Sequence, residues 1–213
     1  MGTRRYIAVE GPIGVGKTSL ASLLAAEFHA QAILEPVEEN PFLRRFYEDP
    51  HTWSFQTQLF FLLSRYRQQS VLRQSAVLEA NVVSDYLFAK DQIFAQLNLR
   101  GEELALYRQI YQLLDSRLPK PDLVVYLEAR PEVLIERLRK RDREYERRIP
   151  REYIEALAEA YREFFFEYAE APLLVADVSE LDFVASREDF LDLVREIRSM
   201  GKGVQHYIPL GSR

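Results

Sequence analysis

Short apolar runs alternate along the chain with longer segments in which apolar residues recur every three or four positions. The short runs predict five β-strands, at 6–10, 32–35, 81–85, 123–127 and 173–176. They are nearly continuous runs of Val, Ile, Leu and Ala, which is typical of parallel strands covered on both faces. The longer segments predict helices near 17–29, 42–49, 53–74, 86–97, 101–117, 131–140, 150–170 and 187–199. We therefore expect a three-layer α/β fold, with a five-stranded parallel sheet flanked by helices.

The composition limits what such a protein does. The chain has 213 residues and no Gly/Ser-rich linker, so we expect a single domain over 1–213. Its lack of cysteine excludes a disulfide framework, a Cys-ligated zinc site and a thiol nucleophile. The net charge of −5 provides no overall attraction to nucleic acid or anionic lipid, and the longest apolar stretch, 59–63, cannot span a bilayer. We expect a soluble cytoplasmic protein without nucleic-acid or membrane partners.

The first predicted strand runs directly into a glycine-rich segment. Residues 11–18 match the pattern G-x-x-x-x-G-K-[ST] between a strand and a helix, as a phosphate-binding loop (P-loop) requires. Backbone N–H groups of such a loop and the positive end of the following helix surround a phosphate. Lys17 adds a point charge at the β/γ-phosphates, and the Thr18 hydroxyl can ligate Mg²⁺. The candidate nucleotide-binding residues are Gly11, Gly14, Val15, Gly16, Lys17 and Thr18.

The P-loop predicts binding of a nucleoside triphosphate but does not identify the phosphate acceptor. The chain has no N-K-x-D segment of the kind that reads guanine in a GTPase, and it is short for an ATPase motor. Two classes of protein fit the P-loop and the length of the chain: a small phosphotransferase and a non-catalytic nucleotide-binding protein.

Each predicted strand has an acidic residue at its carboxyl end, the edge where parallel α/β sheets bind their ligands; these residues are Glu10, Glu35, Asp85, Glu128 and Asp177. Glu35 precedes Pro36, and its carboxylate could accept the proton of an acceptor hydroxyl. Asp85 ends an apolar strand, the pattern of an acid that holds Mg²⁺. The alternative for both is a solvated loop residue.

Two further groups are candidates for ligand binding. Gln58 and Arg65 lie seven residues apart and so share one helix face, where they could read the edge of a base, unless both are surface residues. The segment 137–151 carries eight basic residues, which indicates either a solvated helix face or an arginine-rich lid over 137–150 that closes on the transferring phosphoryl group.

Taken together, these segments resemble the deoxynucleoside kinase family over nearly the whole chain. The segments that carry the resemblance are 11–18, Glu35-Pro36-Val37, Tyr47-Glu48-x-Pro50-x-x-Trp53-Ser54-Phe55, Gln58, Ser64-Arg65, Arg137-x-x-x-Arg141-x-Arg143 and Glu146-x-x-Ile149-Pro150-x-Glu152-Tyr153. The resemblance implies phosphorylation of a deoxynucleoside 5′-hydroxyl with ATP or another purine triphosphate and Mg²⁺. It also implies a homodimer built through helices.

The resemblance implies roles for residues on the nucleoside side. Glu35 is the base that activates the 5′-hydroxyl, while Tyr47 and Glu146 hold the 3′-hydroxyl. Three residues read the base by hydrogen bonding and one stacks on it; these are Gln58, Arg65 and Asp91, with Phe94 stacking. The pair of Arg65 and Asp91 favours deoxyadenosine, deoxyguanosine or deoxycytidine over thymidine.

On the donor side, the resemblance assigns Arg137, Arg141 and Arg143 to the lid that grips phosphates, with Lys17 also catalytic. Asp182 and Phe183 resemble the loop that holds the donor adenine.

The chain departs from the family pattern after the third strand. Family members usually carry Glu/Asp-Arg-Ser there, whereas this chain reads Ser84-Asp85-Tyr86. Asp85 can replace the acid, but no arginine follows it; the alternative register, Glu79-Ala80-Asn81, also lacks one. Either another cation compensates, such as a lid arginine, or activity is reduced.

Two alternatives to a deoxynucleoside kinase follow from the same residues. A thymidylate-type nucleoside monophosphate kinase shares the P-loop and lid, but Glu35-Pro36-Val37 favours a hydroxyl acceptor. A catalytically inactive nucleotide-binding subunit would explain the missing arginine, but Lys17, Thr18 and Glu35 argue against it.

Overall fold

The computed structural model describes residues 6–74 and 81–209. In this part of the chain, six parallel strands form one sheet in the order β2-β3-β1-β4-β5-β6. The strands are β1 Tyr6–Glu10, β2 Gln31–Ile33, β3 Val82–Ser84, β4 Leu123–Glu128, β5 Leu173–Asp177 and β6 Val204–Tyr207. The parallel α/β sheet flanked by helices is confirmed.

The prediction of five strands is wrong by one, because the sequence pattern does not identify β6. This strand lies at the edge of the sheet beside β5 and pairs through Val204 to Tyr207. Its residues alternate between exposed and half-exposed, and Val204 is 56% exposed. An edge strand therefore lacks the continuous apolar run that marks a central parallel strand.

Helices cover both faces of the sheet. They are α1 Lys17–Glu27, α2 Leu43–Glu48, α3 Pro50–Gln74, α4 Lys90–Asn98, α5 Gly101–Asp115, α6 Pro131–Arg141, α7 Arg151–Phe166 and α8 Arg187–Ser199. Helix α3 begins three residues earlier than predicted, at Pro50, because proline suits the first turn and the Asp49 carboxylate accepts the Thr52 N–H at 3.3 Å. Within the described residues no helix combines the length and apolar character that crossing a membrane requires.

Alternate residues of β1 pack into different apolar layers. Ile7 and Val9 face a core that includes Leu20 and Leu24 of α1, whereas Ala8 packs with Tyr161 of α7. Both faces of the strand are thus buried, which explains its uninterrupted apolar sequence.

The strand order brings the candidate residues to one edge of the sheet. Strand β1 lies between β3 and β4: the chain passes from β1 to β2 and β3 on one side of it, and then to β4, β5 and β6 on the other. Glu35 follows β2, Asp85 follows β3 and the P-loop follows β1. Their convergence is expected for a sheet of this type, where ligands bind at the point at which the strand order reverses. Glu79 and Ala80 of the alternative register lie outside the described residues.

Candidate active site

The P-loop joins β1 to α1 in a tight turn. Gly16 has φ = +107°, and a Cβ at this position would lie 2.8 Å from the Phe183 ring. Lys17 begins α1, and its Nζ donates hydrogen bonds to the carbonyl oxygens of Gly11 at 2.8 Å and Pro12 at 3.1 Å. The loop thus places backbone N–H groups, a helix N-terminus and an ammonium group together, as phosphate binding requires.

Thr18 and Asp85 meet beside the P-loop, as the sequence patterns predict. The Thr18 hydroxyl donates a hydrogen bond of 2.6 Å to Asp85 Oδ2, and Asp85 Oδ1 accepts the Glu35 N–H at 2.8 Å. A hydroxyl and a carboxylate fit Mg²⁺, which usually takes one or two protein oxygens together with substrate phosphates. Over 6–74 and 81–209 no cluster of three or more His, Asp or Glu could hold a metal ion by itself.

The Glu35 carboxylate is held between two cations. Its Oε1 accepts a hydrogen bond of 2.7 Å from Arg65 Nε, and its Oε2 accepts one of 2.7 Å from Lys90 Nζ. Burial by itself would raise the pKa of Glu35, but the charges of Arg65 and Lys90 outweigh burial and lower the pKa to about 2. Glu35 is therefore ionised at neutral pH, as a proton acceptor must be, and is not a solvated loop acid.

Arg65 connects Glu35 to Asp91 of α4. Its guanidinium donates to the Asp91 carboxylate as well as to Glu35. Burial raises the pKa of Asp91 to about 6, although Arg65 opposes this change. Gln58 lies two turns from Arg65 on α3; both side chains are buried, which excludes the alternative that they are surface residues. The Gln58 Oε1 has no hydrogen-bond partner among the described residues.

The predicted lid places its charges around Glu146. Arg141 donates to both carboxylate oxygens of Glu146, at 3.0 and 2.6 Å, and Arg143 lies 3.8 Å from it. Tyr47 stacks on Tyr145, with ring centroids 6.0 Å apart and planes inclined by 11°. Burial raises the pKa of the Tyr47 hydroxyl well above its ordinary value, so it remains a neutral donor.

A cleft of about 750 Å³ joins these groups, within the size range of ligand pockets. The predicted site residues that line it are Gly14, Lys17, Thr18, Glu35, Tyr47, Arg65, Asp85, Phe94, Arg141, Arg143 and Glu146.

The remaining predicted site residues do not line the cleft; these are Gly11, Val15, Gly16, Gln58, Asp91, Arg137, Asp182 and Phe183. Arg137 donates hydrogen bonds to the carbonyl oxygens of Val15 at 3.1 Å, Val178 at 2.8 Å and Leu181 at 2.9 Å. Phe183 is buried against Gly16, and Asp182 accepts the Ala185 N–H at 3.0 Å. The assignments of Arg137 to phosphate and of Asp182 and Phe183 to adenine stay predictions.

Sequence reasoning missed Lys90 and identified Glu10 only as one of the acids that end the strands; both are buried at the site. Lys90, the first residue of α4, is only 3% exposed and contacts Glu35. Glu10, at the end of β1, is fully buried and accepts hydrogen bonds from the backbone N–H groups of Gly11 and Leu87 and from the Tyr161 hydroxyl. The available signal was a single charged residue ending an apolar run, at 6–10 and at 86–90.

The fold and the site define a P-loop phosphotransferase: a parallel sheet presents a phosphate-binding loop, an oxygen pair suited to Mg²⁺ and an ionised carboxylate in one cleft. Comparison with protein families narrows this class. The model of the deoxynucleoside kinase family matches residues 7–201, and the chain belongs to this family. It is a kinase that phosphorylates deoxynucleosides, and the monophosphate-kinase and inactive-subunit alternatives are not favoured.

Curated relatives cover nearly the whole chain. A deoxyguanosine kinase from Bacillus subtilis (strain 168) is 37% identical over 205 residues, which are 94% of this chain and 99% of that protein. A deoxyadenosine kinase from Dictyostelium discoideum is 35% identical over 165 residues, 75% of this chain and 66% of that protein.

Solved structures agree with the fold. The structure of deoxyadenosine kinase from M. mycoides with bound dATP has a TM-score of 0.80 and 27% identity to this chain, and the match covers 92% of this chain and 100% of that one. The same enzyme with dCMP and a flexible dCDP bound also has a TM-score of 0.80, over 91% and 99%.

Proposed function

We propose that this enzyme transfers the γ-phosphoryl group of ATP or another purine triphosphate to the 5′-hydroxyl of deoxyguanosine, deoxyadenosine or deoxycytidine, as a step of nucleotide salvage in the cytoplasm. The observation that carries the proposal is the Glu35 carboxylate, which is held ionised between Arg65 and Lys90 in the cleft that contains the P-loop. A carboxylate in this position accepts the hydroxyl proton as the hydroxyl oxygen attacks phosphorus.

The nucleoside lies between α3, α4 and the lid in this proposal. Tyr47 and Glu146 bind the 3′-hydroxyl, because both line the cleft and the charge of Glu146 acts on the Tyr47 hydroxyl. Gln58, Arg65 and Asp91 face the edge of the base, and Phe94 contacts its ring. Buried polar groups reject a base that cannot pair with them, since an unpaired buried polar group costs about 1–3 kcal/mol. This set favours a base with an exocyclic amino group over thymine.

The donor phosphates bind the P-loop, with Lys17 at the β/γ-phosphates. Thr18 and Asp85 would supply oxygen ligands for Mg²⁺, which would neutralise phosphate charge. Arg141 and Arg143 line the cleft; in this proposal they close on the transferring group, which excludes water and so limits hydrolysis.

We further propose that two copies associate through α3 and α5. Leu106 and Leu113 of α5 are 47% and 67% exposed, and their spacing of seven residues puts them on one face of the helix. Leu63 of α3 is 36% exposed, and α3 packs against α5. Exposed apolar side chains on these two helices suit a symmetric interface between identical chains.

Initial rates with the four natural deoxynucleosides, ATP and Mg²⁺ test the proposed activity. We expect turnover of at least one of deoxyguanosine, deoxyadenosine and deoxycytidine, and weaker turnover of thymidine. Consumption of dTMP without phosphorylation of any deoxynucleoside would contradict the proposal.

The variant Glu35→Gln tests the proposed base. Because glutamine cannot accept the hydroxyl proton, we expect turnover to fall by about 10²-fold or more with ATP binding retained. Glu167→Gln, at an exposed carboxylate outside the cleft, is the matched control. Unchanged turnover in Glu35→Gln would remove Glu35 from this role.

A further inference from the structure

Lys90 is a buried lysine whose ammonium group points into the active-site cleft. It is the first residue of α4, it is 3% exposed, and it is among the residues that line the cleft. Its Nζ lies 2.7 Å from Glu35 Oε2. Lysine is almost never buried unless it is paired, because an uncompensated ion in the protein interior is strongly unfavourable. Its burial at this position therefore depends on the Glu35 carboxylate.

Lys90 and Arg65 hold different oxygens of the same carboxylate. Arg65 Nε, from α3, binds Oε1 at 2.7 Å, whereas Lys90, from α4, binds Oε2. A carboxylate anchored through both oxygens from two helices has little freedom to rotate. Each carboxylate oxygen accepts about two hydrogen bonds, so both anchors can remain in place while a substrate hydroxyl binds.

The residue after Asp85 does not supply a cation to the cleft. Tyr86 stands where related kinases usually carry arginine, and its side chain is fully buried in an apolar cluster with Ile33 and Val82. Lys90 is four residues further along the chain. Its charge also reaches the P-loop, because burial first and the charge of Lys90 second lower the pKa of Lys17 to about 8.

We propose that Lys90, in the first turn of α4, is a positioning residue for Glu35. The inference rests on the proposed function, in which Glu35 is the base. Lys90 acts through Glu35: it fixes the orientation of the carboxylate toward the 5′-hydroxyl, and it does not bind either substrate. Small errors in the placement of a catalytic group lower the rate by as much as about 10²-fold.

Substitutions at Lys90 separate this role from general stabilisation. In Lys90→Met we expect kcat to fall by about 10- to 100-fold, with KM for ATP and for the deoxynucleoside within about 3-fold of wild type. Lys90→Arg, which keeps a donor cation, restores most of kcat. Lys120→Met is the matched control, because Lys120 pairs with Asp115 and Glu170 at the surface and lies outside the cleft.

A double-mutant cycle with Glu35→Gln decides whether Lys90 acts through Glu35. If it does, Lys90→Met lowers kcat in the wild-type background but causes no further loss in the Glu35→Gln background. Lys90→Gln, which keeps a hydrogen-bond donor without the charge, replaces Lys90→Met in both backgrounds if Lys90→Met alone does not fold. An equal loss in both backgrounds overturns the proposal, as does a higher KM for ATP at unchanged kcat, which would place Lys90 on the donor phosphates.

The outcomes also separate this inference from the proposed function. A wild-type enzyme that phosphorylates deoxynucleosides, together with a Lys90→Met variant of unchanged kcat, refutes the role of Lys90 alone. A wild-type enzyme without activity on any deoxynucleoside refutes the proposed function itself.

Discussion

At the scale of single residues, the site depends on how Glu35 is surrounded. The neighbouring charges come from three elements: Arg65 on α3, Lys90 and Asp91 on α4, and Asp85 after β3, which accepts the Glu35 N–H. The two cations dominate and lower the pKa of the Glu35 carboxyl to about 2, below its ordinary value of 4.5. This difference makes a pH-dependent contribution to the stability of the folded protein.

The pH dependence has a definite sign. An acid with a lowered pKa in the folded state stabilises that state at pH values above its unfolded pKa, and the contribution is lost as the pH falls toward the folded pKa. We therefore predict that the difference in free energy of unfolding between wild type and Glu35→Gln shrinks by about 2–3 kcal/mol from pH 6 toward pH 2. Urea denaturation of both proteins measures it, and a difference that is constant with pH contradicts it.

The positive φ of Gly16 sets the conformation of the P-loop, and ATP binding depends on that conformation. Its φ of +107° is unfavourable for any residue with a Cβ, and the Phe183 ring occupies the space nearby. We predict that Gly16→Ala weakens ATP binding by at least about 10-fold. Alanine is strained at this φ, and the loop relieves the strain by changing its backbone conformation, which moves the N–H groups that bind phosphate. Isothermal titration calorimetry measures this, with Gly201→Ala as control, since a Cβ at Gly201 meets no atom within 4 Å.

At the scale of elements, Glu10 connects three segments that meet below the P-loop. One carboxylate oxygen accepts the Gly11 N–H at 2.9 Å and the Tyr161 hydroxyl of α7 at 3.1 Å. The other accepts the Leu87 N–H at 2.7 Å, in the segment between β3 and α4. All three partners are donors, so the site requires a group that only accepts hydrogen bonds.

Glutamine at this position would direct an N–H group at another N–H donor. We therefore predict that Glu10→Gln lowers the free energy of unfolding by about 1–3 kcal/mol, the range for leaving a buried polar group unpaired. Tyr161→Phe removes a single donor and leaves the other two bonds, so it is expected to have the smaller effect. Guanidinium denaturation of the two variants provides the comparison, and equal stability of Glu10→Gln and wild type would show that these bonds contribute nothing.

The positions of the helices and strands explain which features of the fold and the site the sequence predicts and which it does not. The meeting of the P-loop, Glu35 and Asp85 is predictable, because the carboxyl ends of parallel strands share one edge of the sheet. The contact between Lys90 and Glu35 joins residues 55 positions apart and depends on how α4 packs against α3, which no local pattern contains. The sequence pattern did not predict strand β6, because neither face of this edge strand is fully buried and its sequence therefore does not need to be apolar.

At the scale of the whole molecule, α5 exposes two leucines that a single chain does not bury. Leu106 and Leu113 face outward two turns apart, although other members of the same helix, Tyr107 and Tyr111, are buried. A glutamate at Leu113 would place a charge in an interface between two copies but would remain solvated on an isolated chain. We therefore predict that Leu113→Glu converts a dimer to a monomer at micromolar concentration without loss of helical content. Light scattering coupled to gel filtration measures the mass, and circular dichroism measures the helical content.

Ile208→Glu, at a residue that is 74% exposed near the end of β6, is the matched control and should leave the mass unchanged. A wild-type protein with the mass of one chain would exclude the dimer, and a Leu113→Glu variant that keeps the mass of two chains would place the interface on another surface.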